Sequence, residues 1–167
     1  MCESTNAERP GFTPSEKNVG KSLENIFFGN KEKRIVIATF SSNVHRVQQI
    51  INTSAKYGRR VANTGRSMLN IVNAAVELGY MNVPEGTIVD ISEIKKYTPS
   101  QLTIISTGSQ GEPMSALTRM AFAEHKDVVL GPSDLVIISA SAIPGNEKDV
   151  DRVINALLQR NVTVLYD

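Results

Sequence analysis

Four times along this chain a short strand-like segment is followed by a polar loop and then by apolar residues at helical spacing, and this alternation constrains the fold more than any other feature. The first strand, Ile35-Val36-Ile37-Ala38, has no polar side to turn to water, so it must be covered on both faces. Val44, Val47, Ile50, Ile51 and Ala55 then mark one face of a helix that ends at Tyr57-Gly58. The short strand Arg60-Val61-Ala62 leads to a helix carrying Met68, Leu69, Val72, Ala75 and Val76, stopped by Gly79. Leu102-Thr103-Ile104-Ile105 leads to one carrying Leu117, Met120 and Ala121, and Leu135-Val136-Ile137-Ile138 to one carrying Val150, Val153, Ile154, Leu157 and Leu158. Repeated βα units of this length predict an α/β fold: a three-layer, open, mostly parallel, Rossmann-like sheet with helices on both faces and right-handed crossovers.

Three weaker elements complete the pattern. Thr13-Pro14-Ser15-Glu16 is an N-terminal helix signal, with Thr13 as cap, Pro14 in the first turn and Glu16 reaching back; the helix runs to about Phe28 and Gly29-Asn30 stops it. Ile88-Val89-Asp90-Ile91 reads as an edge strand, with Ser92 capping a short helix over Glu93–Lys96, and Val162–Leu165 is the last strand. Residues 1–30 form a leading segment and helix, and 31–167 the α/β domain. With 167 residues and 41% hydrophobic content the two share one compact core. A single Cys2 excludes a disulfide framework within the chain and suits a reducing cytoplasm. No apolar run reaches the ~18 residues of a membrane span. Met1–Asn6 provides no leader, and the chain reads as beginning partway through a longer one.

Formal net charge is +1, but the segment Lys31–Arg66 holds eight Lys/Arg against Glu32, a local +7 flanked by acidic stretches. In a parallel sheet the binding edge is the carboxyl one, where loops enter helix N-termini. Four loops are predicted there: Thr39 to Arg46, Asn63 to Ser67, Ser106 to Pro113 and Ser139 to Glu147. All are rich in hydroxyls, amides and glycine, and the partial positive charge of each helix start suits them to phosphate. The same residue types also cap helices and make turns, so a single loop of this kind is more often structural. The candidates for contact with phosphate or another anion are Ser41, Asn43, His45, Arg46, Arg66, Ser67, Ser109, Gln110, Gly111, Glu112, Ser141 and Asn146. Among them Arg66, directly after Gly65, offers a planar bidentate donor.

Catalytic signatures are missing. Two histidines eighty residues apart and one cysteine make a self-contained transition-metal site improbable, and neither a Walker loop nor a G-x-G-x-x-G occurs. Ser109, Ser139 and Ser141 lack a nucleophile-elbow frame. Glu112, before Pro113 at a helix start, fits a dipole-favouring role better than that of a base. These residues read as binding groups.

Taken in order, Glu3-Ser4-Thr5-Asn6-Ala7-Glu8-Arg9-Pro10-Gly11-Phe12-Thr13, Thr39 to Arg46, Gly65-Arg66-Ser67-Met68, Thr107-Gly108-Ser109-Gln110-Gly111-Glu112-Pro113-Met114 and Ile143-Pro144-Gly145-Asn146-Glu147 resemble bacterial ribonuclease J across essentially the whole chain. The part resembled is the β-CASP insert of these metallo-β-lactamase nucleases. The resemblance implies a two-zinc 5′-to-3′ exoribonuclease, with some endonuclease activity, in RNA maturation, rRNA processing and decay. It places both zinc ions on ligands outside this chain, leaves no metal within it, and makes the isolated chain inactive. Glu3 matches the acidic position that opens the β-CASP region, in a supporting catalytic role. The implied partners are single-stranded RNA and the metallo-β-lactamase domain of the same protein, in a cytoplasmic homo-oligomer away from membranes. On this reading the four loops and the +7 segment face the RNA, with Phe40 either stacking on a base or packing at a strand end. Two other readings stand beside it: a free-standing sugar-phosphate or flavin-phosphate binding protein, and a module that only docks two halves of an enzyme.

Overall fold

The computed structural model describes residues 10–11 and 16–166. Six strands, β1 (Arg34–Ala38), β2 (Arg60–Thr64), β3 (Ile88–Val89), β4 (Leu102–Ser106), β5 (Asp134–Ile138) and β6 (Thr163–Tyr166), form one sheet in the order β3-β2-β4-β1-β5-β6. Every pairing is parallel. Five helices accompany them: α1 (Glu16–Gly29), α2 (Val44–Lys56), α3 (Arg66–Glu77), α4 (Ala116–Ala121) and α5 (Glu147–Gln159).

Because successive strand side chains point to opposite faces, each central strand feeds two cores. Ile35, Ile37, Val61, Ile105 and Leu135 pack with Leu23 and Phe27 of α1, Val47 and Ile51 of α2, and Met68 and Val72 of α3. Val36, Ala38, Ile104, Val136 and Ile138 pack with Leu117 and Met120 of α4 and Val150, Val153 and Leu157 of α5. Hence the three layers. The chain runs outward from β1 to β3 under one helical layer and returns through β4, β5 and β6 under the other, as a constant crossover hand requires. Consequently β1 sends its loop to one face while its neighbours β4 and β5 send theirs to the other, opening crevices at the carboxyl edge on both sides of β1.

Several boundaries depart from the sequence reading. Strand β2 extends to Thr64, since Asn63 and Thr64 pair in register with Ile105 and Ser106 of β4. Helix α3 begins at Arg66, so the expected loop Asn63–Ser67 shrinks to Gly65 alone. Strand β3 does lie at the sheet edge, but only two residues long, and a 3-10 turn, Ile91–Lys96, follows it at once. That turn is capped by Asp90, whose carboxylate accepts the Ser92 N–H at 2.8 Å and the Ser92 hydroxyl proton at 2.5 Å, and not by Ser92. Helix α1 ends where Asn30 Nδ2 donates to Ile26 O at 2.9 Å. Its expected cap at Thr13 lies outside the described residues. No helix among the described residues is long and apolar enough to cross a membrane.

Candidate functional site

The carboxyl edge divides into two halves. One half is made by the starts of α2 and α3. Asn43 N-caps α2, its Oδ1 accepting the Arg46 N–H at 3.0 Å, so a candidate phosphate ligand serves as a helix cap. His45 is exposed in the first turn, and its side chain makes no hydrogen bond or ion pair to the other described residues. Arg46 is half-buried: its Nη1 donates to the Ser139 hydroxyl at 2.5 Å and to Ser139 O at 3.2 Å, tying α2 to the loop after β5. Ser41 is half-exposed in the turn before α2.

Helix α3 starts differently. Gly65, at φ +98°, has no side chain to cap it, and the first-turn N–H groups receive no side-chain acceptor. A Cβ on Gly65 would stand 2.4 Å from Thr107 Oγ1, so only glycine lets this turn lie against the β4 loop. Arg66 and Ser67, the first two helical residues, are exposed, and Arg66 has no partner among the described residues. An open helix N-terminus carrying a free guanidinium is an anion-binding arrangement.

The other half is knitted together from the loops after β4 and β5. Ser109 and Gln110 are buried, at 2% and 4% exposure. Gln110 donates through Nε2 to Ser141 O at 3.1 Å and accepts through Oε1 from Ile143 N at 2.8 Å and Asn146 Nδ2 at 3.3 Å. Its own N–H donates to Glu112 Oε2 at 3.2 Å. Gly111, at φ +73°, lies so close to α5 that a Cβ would meet the Asp149 carbonyl carbon at 2.4 Å. Thus Gln110 and Asn146 tie the loops after β4 and β5 together and Gly111 packs against α5, so these candidate contacts also have structural roles, while Ser109 is buried beneath them. Ser141 and Glu112 are exposed, and with Glu147 and Asp149 also exposed this half shows carboxylates to solvent.

The +7 segment does not gather at this edge, contrary to expectation. Six of its eight cations, Lys31, Lys33, Arg34, Lys56, Arg59 and Arg60, sit just before strands, at their first residues or at the end of α2, and strand polarity sends all such positions to the amino edge. Several are spent within the fold. Arg34 grips Asp134 with Nε and Nη2 at 2.7 and 2.9 Å, Lys56 pairs with Glu24 at 2.8 Å, and Arg60 donates to Gly86 O. Glu3 lies outside the described residues. No three His, Cys, Asp or Glu side chains among the described residues converge to hold a metal.

One residue escaped the sequence reading. His125, between α4 and β5, is 9% exposed. Its Nδ1 accepts the N–H groups of Asp127 and Val128, both at 3.2 Å, and its Nε2 lies 2.9 Å from Thr64 Oγ1 at the end of β2. Only tertiary structure brings a histidine from beyond α4 to the β2–α3 turn, so no local spacing announces it.

Comparison with known proteins places these features. Residues 32–157 match the family model described as ribonuclease J, beta-CASP domain. Proteins named ribonuclease J are similar along nearly the whole chain: one from Thermus thermophilus is 46% identical over 99% of this chain and 29% of its own length. One from Helicobacter pylori is 44% identical over 99% and 24%, and one from Mycolicibacterium smegmatis 47% over 94% and 28%. The chain therefore spans less than a third of the length of these relatives. A crystal structure of a protein of unknown function from Enterococcus faecalis V583 shares the fold, with TM-score 0.62 at 13% identity over 99% of this chain and 38% of that one. With three quarters of its length matched by the family model, this chain belongs to the ribonuclease J beta-CASP domain family.

Proposed function

We propose that the chain is the RNA-facing β-CASP part of a metal-dependent ribonuclease of the ribonuclease J type, and that it binds and orients single-stranded RNA while hydrolysis is carried out elsewhere in the longer protein. The observation that carries this reading is the start of α3, with its open N–H groups beside exposed Arg66 and Ser67. A phosphate docked there receives backbone donors, the positive end of a twelve-residue helix and a guanidinium fork, none of which reads base identity. Exposed His45 and half-exposed Ser41 extend the same half of the edge. The exposed carboxylates of Glu112 and Asp149 make the other half less favourable to a phosphate backbone. The described residues offer no ligand set for the zinc ions of such an enzyme, so no step of the chemistry is routed through them. The metallo-β-lactamase domain, the exonuclease and endonuclease activities, oligomerisation and cytoplasmic location belong to this proposal as properties of the longer protein.

The test is a titration of 5′-phosphorylated single-stranded RNA at two salt concentrations, comparing the parent chain with Arg66→Ala. Binding weakens about tenfold on substitution, and the slope of log K against log salt falls by about 0.7. Binding that ignores both salt and the substitution refutes the RNA reading. Tighter binding of inorganic phosphate or a flavin phosphate than of RNA supports a small-phosphate binder instead. The chain incubated with RNA and zinc or manganese leaves the RNA intact; cleavage that persists through repurification contradicts the assignment of hydrolysis to the rest of the protein.

A further inference from the structure

His125 is a buried titratable group that this reading of the RNA contact leaves without a task, and its hydrogen bonds determine its chemical state. Two backbone N–H groups, of Asp127 and Val128, point at Nδ1, so Nδ1 is the unprotonated acceptor. The ring proton therefore sits on Nε2, which donates to Thr64 Oγ1. Thr64 is the last residue of β2 and is itself buried at 5% exposure. The next residue is Gly65, whose backbone presses on Thr107, and the one after is Arg66. The one-residue turn between β2 and α3 is thus held on one side by a hydrogen bond from the α4–β5 connection and on the other by contact with the β4 loop. A chain that leaves a strand and enters a helix through a single glycine has its helix direction determined at that glycine, and glycine supplies no stiffness of its own.

We propose that His125 is a positioning residue: its Nε2–H bond to Thr64 holds the Thr64–Gly65 junction so that Arg66 and the open N–H groups of α3 are aimed at the RNA phosphate. The proposal rests on the reading of Arg66 given above. A hydroxyl is the required acceptor at position 64, because a valine of the same shape leaves the histidine proton buried without a partner. Serine keeps that acceptor.

The experiment compares Thr64→Val, Thr64→Ser, Arg66→Ala and the double variant Thr64→Val/Arg66→Ala. Each is titrated with 5′-phosphorylated single-stranded RNA at several salt concentrations, and amide hydrogen exchange is followed at residues 69–72, beginning with the Leu69 N–H that donates to Gly65 O at 3.1 Å, with α5 as internal reference. Thr64→Val is expected to lose about tenfold in affinity, matching Arg66→Ala. Thr64→Ser binds within about twofold of the parent, and the double variant binds no more weakly than Arg66→Ala alone. Exchange at residues 69–72 accelerates in Thr64→Val, not in Thr64→Ser, while α5 is unchanged. If Arg66→Ala weakens binding and Thr64→Val does not, the positioning role is overturned. If Arg66→Ala has no effect, the RNA reading of Arg66 is what fails, and exchange alone then decides: faster exchange in Thr64→Val supports the pin, and equal rates overturn it.

Discussion

Arg59 shows how a basic residue in a basic segment can be taken out of play. It is 3% exposed, and its hydrogen-bond partners among the described residues are backbone carbonyls. Its Nη1 donates to the carbonyls of Lys33 and Leu102, both at 2.9 Å, and its Nη2 to those of Asn30 at 3.1 Å and Lys31 at 2.9 Å. The Phe27 ring lies 5.6 Å below the guanidinium. Burial lowers its pKa, partly offset by Glu32, and the carbonyls just beyond α1 supply the negative potential that keeps it charged. Removing it strands several carbonyls at once, so Arg59→Ala costs about 3 kcal/mol in urea unfolding, and Arg59→Lys recovers little because an ammonium cannot fork. At the same scale, His125 makes stability depend on pH. Burial is the main reason its pKa lies below 6.5, with Arg119 and Lys126 adding to the effect and Asp127 opposing it. The folded chain therefore resists protonation more than the unfolded one. Stability is complete above pH 6.5 and is lost as pH falls through the folded pKa. Urea midpoints between pH 7.5 and 5 fall over this range in the parent, and more gently in His125→Asn; equal slopes in the two would show that another group titrates.

Elements divide sharply into those that a sequence announces and those it hides. Ile35–Ala38 and Leu135–Ile138 are legible because strands buried on both faces need apolar residues at every position. The end of β2 is not, because Asn63 and Thr64 look like loop residues until the ladder with Ile105 and Ser106 is seen. Glycine in the β4–α4 loop reads from sequence as a turn or a phosphate contact, whereas at Gly111 the close approach of α5 requires it. Both Gly111, at φ +73°, and Gly58, at φ +68°, adopt a conformation that strains other residues, but a Cβ at Gly58 meets nothing within 4 Å, and one at Gly111 meets the backbone of Asp149 and Val150. Gly58→Ala is accordingly expected to cost about 1 kcal/mol and Gly111→Ala about 3 kcal/mol, with α5 pushed outward. Similar unfolding midpoints for the two would mean that α5 yields without cost.

At the scale of the whole molecule, strand polarity sorts charge into two edges, and it does so in a way that composition conceals. Residues that precede or open strands, such as Lys31, Lys33 and Arg60, go to the amino edge, while those following strands, such as Arg66, reach the carboxyl edge. A local charge of +7 in the sequence is therefore not one surface. The edges are separated by strands of five residues, roughly 16 Å, which exceeds the screening length of about 8 Å at physiological salt. Charge reversal at the amino edge should then leave RNA at the carboxyl edge almost undisturbed. The double variant Lys31→Glu/Arg60→Glu is expected to bind 5′-phosphorylated single-stranded RNA within about twofold of the parent at 0.15 M salt, whereas Arg66→Glu weakens binding by more than tenfold. Lowering the salt to 0.01 M lengthens the screening distance to about 30 Å and makes the double variant bind more weakly as well. If the amino-edge reversal is the more damaging change at 0.15 M salt, the RNA runs along the amino edge, and the start of α3 is a helix end without a ligand.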